Sequence, residues 1–175
     1  MRTYSIVFLD IDGTLLDSQH QVMPCTRDRL QYLHKRGVPI VLCSARPPEG
    51  VNLVARQTGL NGPVACYNGG LIFDKNSTIL RDVGIDISLA AEFRQFVAER
   101  FPDLVVSAYL YNVWMVEDPQ HPLIRQEADI SGCMPLQGSL EQVAAAASHV
   151  HKLLCIGDAM RIRLCRKKSS STFPS

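Results

Sequence analysis

Short apolar runs alternate with longer amphipathic segments in the first 70 residues of the chain. The apolar runs at residues 6–9, 39–43 and 63–66 are too short for helices and are typical of buried strands of a parallel sheet. Between them, helical periodicity covers residues 26–35, beginning at a threonine N-cap, and residues 49–58. This order of elements predicts a Rossmann-like α/β fold, a doubly wound parallel sheet with right-handed crossovers.

Each of these three apolar runs ends in polar or glycine-rich sequence. In an open α/β sheet, ligands bind in the crevice beyond the carboxyl ends of the strands. Two carboxylates separated by one residue are expected on the same side of a strand, where their repulsion is relieved by a cation such as Mg²⁺. The candidate site residues are therefore those that follow the strands: Asp10 and Asp12; Ser44, Ala45 and Arg46; Asn68 and Gly69.

The second half of the chain has a different pattern. A hairpin is predicted at residues 71–80, and from residue 83 onward helices and paired strands alternate as in an α+β unit. A helix capped by Ser88 is followed by strands at 104–110 and 113–116, and Ser139 begins a capping-box sequence.

Composition and charge narrow the choice of partners. The chain has 175 residues, 46% of them hydrophobic, and a formal net charge of +1. Neither a nucleic acid nor a membrane is an expected partner, no signal peptide or membrane span is visible, and a cytoplasmic location is expected. The six cysteines lack metal-ligand spacing, which favours reduced and inert thiols.

The sequence Asp10-Ile-Asp-Gly-Thr-Leu-Leu-Asp17 resembles the first motif of the haloacid dehalogenase-like (HAD) phosphohydrolases. The resemblance implies that Asp10 is a nucleophile that forms an aspartyl phosphate and that Asp12 is the general acid and base. It also implies a Mg²⁺ cofactor bound by the Asp10 carboxylate and the Asp12 carbonyl. The implied substrate is a small phosphorylated metabolite such as a sugar phosphate.

Two further segments resemble motifs of this family. Ser44-Ala45-Arg46-Pro47 is similar to its second motif, which implies that Ser44 binds a phosphoryl oxygen with help from the N–H groups at the start of the next helix. Ala45 replaces the usual glycine, and Arg46 either faces the phosphate or lies on the surface. Asn68-Gly69-Gly70 resembles a turn of the Cof-type branch, in which Asn68 lies beside the site; the alternative is an ordinary turn.

The resemblance also predicts the domain organisation. Residues 1–82 would form the N-terminal part of the core, and residues 83–160 would form an incomplete α+β cap. Trp114 either packs in the core of this cap or lines a substrate pocket. Lys152 and Asp158 are similar to the family's later lysine and acidic motifs, but the interval between them is too short for the helix and strand that normally separate those motifs. Asp158 is instead predicted to be a helix N-cap.

Residues 161–175 contain five basic residues and no acidic one. They are expected to form a separate tail, disordered or out of frame, and the chain is expected to stop within the cap. If the core is incomplete, self-association is expected. The sequence leaves two alternatives to a phosphatase open: a non-catalytic fragment that binds metal or phosphate, and a receiver-like domain phosphorylated on Asp10.

Overall fold

A computed structural model describes residues 6–145 and 147–173 of the chain. The chain divides into two compact units, Met1–Val83 and Gly84–Ser175. Within the described residues, no helix combines the length and the apolar character that a membrane crossing requires. Each unit has its own sheet and is considered separately.

The first unit contains a five-stranded mixed sheet in the order β1-β2-β3-β4-β5. The first three strands are parallel, as predicted, and the last two add an antiparallel hairpin. The strands are β1 (Val7–Asp10), β2 (Ile40–Cys43), β3 (Val64–Cys66), β4 (Leu71–Phe73) and β5 (Ile79–Asp82). The connecting helices are α1 (Pro24–Lys35) and α2 (Pro48–Thr58).

β1 differs from the prediction of a fully buried strand. Its residues alternate between half-buried and exposed, and the side chain of Phe8 is 67% exposed. Two right-handed crossovers that proceed in the same direction place both helices on one face of the sheet. In agreement, Gln31 of α1 donates a hydrogen bond to the carbonyl of Thr58 in α2. Among the residues that the structure describes, β1 is also the first strand of its sheet, so Phe8 lacks the cover that a central strand receives.

The start of α1 also differs from its prediction. The helix begins at Pro24, with Met23 as its N-cap, and Thr26 lies inside the first turn. Proline is favoured at the first helical position because its missing N–H would have no helical partner there. The end of α2 is as predicted, because Gly59 caps it in the left-handed conformation at φ 70°.

The second unit contains a four-stranded sheet in the order β11-β7-β8-β9 and a short two-stranded sheet of β6 and β10. Its strands are β6 (Ile85–Asp86), β7 (Val105–Leu110), β8 (Val113–Val116), β9 (Pro135–Gln137), β10 (His149–Val150) and β11 (Lys152–Ile156). Its helices are α3 (Ile87–Arg100), α4 (Pro122–Ser131), α5 (Leu140–Ala144) and α6 (Ala159–Ser169).

The helix starts of this unit test three capping predictions. The capping box at Ser139 is present in full, since its side chain and that of Gln142 each accept a hydrogen bond from the other residue's N–H. The side chain of Asp158 caps α6 as predicted. The prediction for α3 was wrong: Asp86 is the N-cap, and its carboxylate accepts hydrogen bonds from both the N–H and the hydroxyl of Ser88.

Trp114 belongs to the core of the second unit. Its side chain is 1% exposed, and its ring is stacked on that of Tyr109, its direct neighbour on β7, with the centroids 5.5 Å apart. Its indole N–H donates to Oγ of Ser107, which is itself buried. This agrees with core packing, the first of the two predicted roles.

Residues 159–169 form α6, which differs from the expectation of a disordered tail beginning at residue 161. Cys165 of this helix is buried in an apolar cluster with Phe96, Phe101 and Leu104. Arg161 donates hydrogen bonds to both carboxylate oxygens of Asp103. A charge count of the segment could not reveal this packing, because the cluster that buries Cys165 includes Phe96 and Phe101, which lie more than sixty positions earlier in the chain.

Candidate active site

The two predicted aspartates lie at the carboxyl end of β1. Asp10 is the last residue of the strand, and Asp12 follows in an irregular turn that closes with a hydrogen bond from the N–H of Leu16 to the carbonyl of Ile11. Ile11 is completely buried, whereas both aspartates are exposed. Gly13 has φ 75°, a conformation that glycine adopts without steric cost. The turn therefore anchors its apolar residue in the core and directs both carboxylates outward.

Thr14 holds the side chain of Asp10. Its hydroxyl donates a hydrogen bond to Oδ2 of Asp10 at 3.0 Å. Among the described residues, no donor is bonded to Oδ1, so this oxygen is available to a metal ion or an electrophile. Thr14 had no predicted role, although its position in the same motif as Asp10 is a signal that could have indicated one.

Ser44 links the second strand to the site. It follows β2, is 4% exposed, and its N–H donates to the carbonyl of Ala65 in β3. Its hydroxyl accepts a hydrogen bond from the N–H of Arg46 and donates to Oδ2 of Asp12 at 3.3 Å. Ala45 is exposed and has a negative φ, so alanine in place of the family's glycine causes no backbone strain.

Arg46 forms a bidentate ion pair with Asp12. Its Nε donates to Oδ2 at 3.0 Å, and its Nη2 donates to Oδ1 at 2.7 Å. These hydrogen bonds, helped by the positive charge of Arg46 and the hydrogen bond from Ser44, lower the pKa of Asp12 below its ordinary value, although partial burial opposes them. Asp12 is therefore held as a carboxylate in this arrangement.

The third loop lies against the second. The N–H of Asn68 donates to the carbonyl of Ser44 at 3.0 Å, and the N–H of Tyr67 donates to the carbonyl of Arg46 at 3.3 Å. Asn68 and Gly69 both have positive φ values, 55° and 91°. This turn leaves the Asn68 side chain exposed beside the Ser44 loop.

The start of α2 has fewer backbone N–H groups for an anion than the resemblance to the second motif implied. Pro47 is its N-cap and Pro48 its first residue, and neither has a backbone N–H. Glu49, an acid, supplies the first N–H of the helix. Since an anion at a helix terminus is bound by free N–H groups, the guanidinium of Arg46 is the stronger anion-binding group in this region.

The oxygen donors at the end of β1 fit a magnesium ion. Mg²⁺ prefers oxygen ligands and is usually bound through one or two carboxylates together with water and substrate phosphate. Asp10 offers a carboxylate oxygen with no protein donor among the described residues. Both carboxylate oxygens of Asp12 are bonded to Arg46, so its main-chain carbonyl is the group that it would contribute.

The cysteines near these loops are poor nucleophiles. Cys66, at the end of β3, is completely buried, and this burial raises the pKa of its thiol to about 12. Burial also raises the pKa of Cys43, which is paired with Asp10 across the first two strands. Because the thiolate is the reactive form of cysteine, Asp10 is the stronger candidate nucleophile.

The model of the haloacid dehalogenase-like hydrolase family matches residues 7–175. The chain therefore belongs to the haloacid dehalogenase-like hydrolases, as its first motif indicated. A Haemophilus influenzae protein provisionally named a phosphatase is 30% identical over 159 residues, which cover 91% of this chain and 59% of that protein.

Solved structures agree on the fold. A haloacid dehalogenase-like hydrolase from Bacteroides thetaiotaomicron matches 95% of this chain and 63% of its own length, with a TM-score of 0.81 and 22% identity. A Thermotoga maritima protein matches 98% of this chain and 63% of its own length, with a TM-score of 0.80 and 20% identity. The fold class predicted from the sequence is confirmed, and the chain spans about three fifths of the length of these proteins.

Proposed function

We propose that the protein hydrolyses phosphomonoesters of small metabolites, such as sugar phosphates, with Mg²⁺ and through an aspartyl phosphate on Asp10. The main support for this proposal is the position and the hydrogen bonding of the Asp10 side chain. It is exposed at the carboxyl end of a parallel strand, oriented by Thr14 through one oxygen, and bonded to no other donor among the described residues. A carboxylate nucleophile divides one difficult displacement into two easier ones.

In the first step, an Asp10 oxygen attacks phosphorus, and the bond from phosphorus to the ester oxygen breaks while Asp12 gives that oxygen a proton. In the second step, Asp12 takes a proton from water as the water oxygen attacks phosphorus, which releases phosphate and restores Asp10. Ser44 would donate a hydrogen bond to a phosphoryl oxygen. A bound Mg²⁺ would neutralise charge between the carboxylates and the phosphate.

Movement of Arg46 would allow Asp12 to become protonated, as its role as the acid requires. A dianionic phosphate attracts a guanidinium more strongly than a single carboxylate does, and it accepts the same two parallel hydrogen bonds. When substrate binds, Arg46 would move from Asp12 to the phosphate. The pKa of Asp12 would then rise, since the interactions that lower it come mainly from Arg46, and a proton on Asp12 would become available for the leaving oxygen.

The test is Mg²⁺-dependent hydrolysis of an aryl phosphate by the full chain and by two variants. Asp10→Asn removes the nucleophile, while Asp28→Asn makes the same change at an exposed aspartate of α1. We expect Asp10→Asn to lose turnover by about a thousandfold or more, equivalent to roughly 4 kcal/mol of transition-state stabilisation. Asp28→Asn should retain it. Equal rates for the two variants would rule out Asp10 as the nucleophile.

A second candidate function is phosphate binding without turnover. The bidentate Arg46 pair favours it, because Asp12 is held ionised and cannot donate a proton in that state. The same assay separates the two candidates when phosphate binding is also measured by calorimetry. Binding that depends on Arg46, together with no hydrolysis above the Asp10→Asn level by a folded protein, would favour the binding function.

A further inference from the structure

The outward side of α6 combines positive charge with exposed apolar side chains. Met160 is 73% exposed and Leu164 is 45% exposed, whereas Cys165 on the opposite side is buried. Because residues three and four positions apart are neighbours on a helix, these exposed residues form one continuous surface. We call this surface the outer face of α6; it consists of Met160, Arg163, Leu164, Arg166, Lys167 and Lys168.

The four cations of the outer face have no acidic partner among the described residues. The remaining basic side chain of the helix, Arg161, is the one that is paired, with Asp103 at 2.6 Å. The whole chain has a formal net charge of only +1, so this positive charge is local to one helix. A local excess of this kind attracts a polyanion.

The positions of Met160 and Leu164 between the cations favour a lipid surface over a nucleic acid as the binding partner. With about 100° between successive residues of a helix, Arg163 and Lys167 lie on one side of the pair formed by Met160 and Leu164, and Lys168 lies on the other. Apolar side chains between cations can insert among lipid chains while the cations remain at the headgroups. A nucleic-acid backbone offers these two apolar side chains no equivalent environment.

We propose that the outer face of α6 binds the surface of an anionic bilayer. Lysines and arginines held close to an anionic leaflet are attracted by its negative surface potential. The proposal is independent of the active site, and it revises the expectation from the sequence that no membrane takes part. That expectation considered membrane spans, whereas this contact is a peripheral one.

The experiment measures cosedimentation of the full chain with vesicles of phosphatidylcholine, alone and mixed with phosphatidylserine, over a range of salt concentrations. We expect binding to the mixed vesicles only, and a decrease as salt rises, because exposed charges are screened. Arg163→Gln/Lys167→Gln should weaken binding about 25-fold, at about fivefold for each cation. The matched control is Arg29→Gln/Lys75→Gln, which removes two exposed cations of the first unit and should bind like the unchanged protein.

A second variant distinguishes lipid from nucleic acid. Met160→Gln/Leu164→Gln keeps every charge and should weaken vesicle binding about tenfold, because the apolar insertion is lost. Circular dichroism verifies the helix in each variant. Equal binding to neutral vesicles, no vesicle binding at low salt, or tight binding to a DNA duplex that the apolar variant leaves unchanged would each overturn the proposal.

Discussion

Arg46 and Asp12, 34 positions apart in the sequence, form a bidentate ion pair at 2.7 and 3.0 Å between the loops that follow β2 and β1. This pair connects the second predicted motif to the first. It also determines the protonation state of the predicted acid, because a guanidinium on both oxygens favours the carboxylate. The state of Asp12 is therefore set by a residue that the sequence analysis left with two alternative roles.

We expect Arg46→Gln to raise the pKa of Asp12, since the largest interactions that lower it are removed. Carbon-13 NMR of the carboxyl groups across a pH titration measures this shift, with Asp12→Asn to assign the signal. Arg56→Gln, at an exposed arginine of α2, is the matched control and should leave the titration unchanged. An unchanged Asp12 titration in Arg46→Gln would mean that the ion pair does not form in solution.

The same pair makes a prediction about stability. A carboxyl whose pKa is lower in the folded state stabilises the protein above its unfolded pKa, and this contribution disappears as pH falls through the folded value. Its effect is expected to be small because the Asp12 side chain is 49% exposed. Urea denaturation at neutral pH and below pH ~4 should show a smaller acid-induced loss in Arg46→Gln than in the unchanged protein. An equal loss in both would show that the pair does not contribute to stability.

Two glycines after helices test backbone strain. Gly37 and Gly59 have φ values of 77° and 70°, and alanine in this conformation costs about 1–2 kcal/mol. A Cβ at Gly37 would meet nothing within 4 Å, whereas a Cβ at Gly59 would lie 2.8 Å from Nε2 of Gln31. Gly59→Ala should therefore destabilise the protein more than Gly37→Ala in urea denaturation. Equal losses would mean that the Gln31 side chain moves aside at no cost.

Trp114 provides a fluorescence and stability test of the second unit. It is the chain's one tryptophan, and its side chain is 1% exposed. We expect blue-shifted emission that phosphate does not change, and a loss of about 3–5 kcal/mol in Trp114→Ala. Emission typical of a solvated indole, or a change in emission when phosphate binds, would contradict a core position.

The N-cap of α6 can be tested by a conservative pair of substitutions. The Asp158 carboxylate accepts hydrogen bonds from the N–H groups of Met160 and Arg161. Asp158→Ala should destabilise the protein by about 0.5–2 kcal/mol, while Asp158→Asn, an equally good N-cap, should cost little. Thermal denaturation of the two variants measures the difference. If both lose the same stability, the charge of Asp158 and not its capping hydrogen bonds is what matters.

Features that depend on a few neighbouring residues could be predicted from the sequence. The apolar runs before Asp10 and Ser44 form the predicted parallel strands. The left-handed end of α2 at Gly59, the capping box at Ser139 and the N-cap at Asp158 are all present. At these helix ends the determining atoms lie within about four residues of one another, so the local sequence pattern is sufficient to predict them.

Features that depend on contacts between distant segments were decided by the tertiary structure alone. Phe8 is exposed because β1 is the first strand of its sheet and both crossover helices lie on one face, which its apolar sequence could not indicate. Cys165 anchors a segment that had been expected to form a tail, because Phe96 and Phe101 supply an apolar surface for it. Arg46 is bonded to Asp12 because two loops meet at the ends of adjacent parallel strands. The sequence by itself determined which polar residues follow the parallel strands, whereas the packing of remote elements determined their partners.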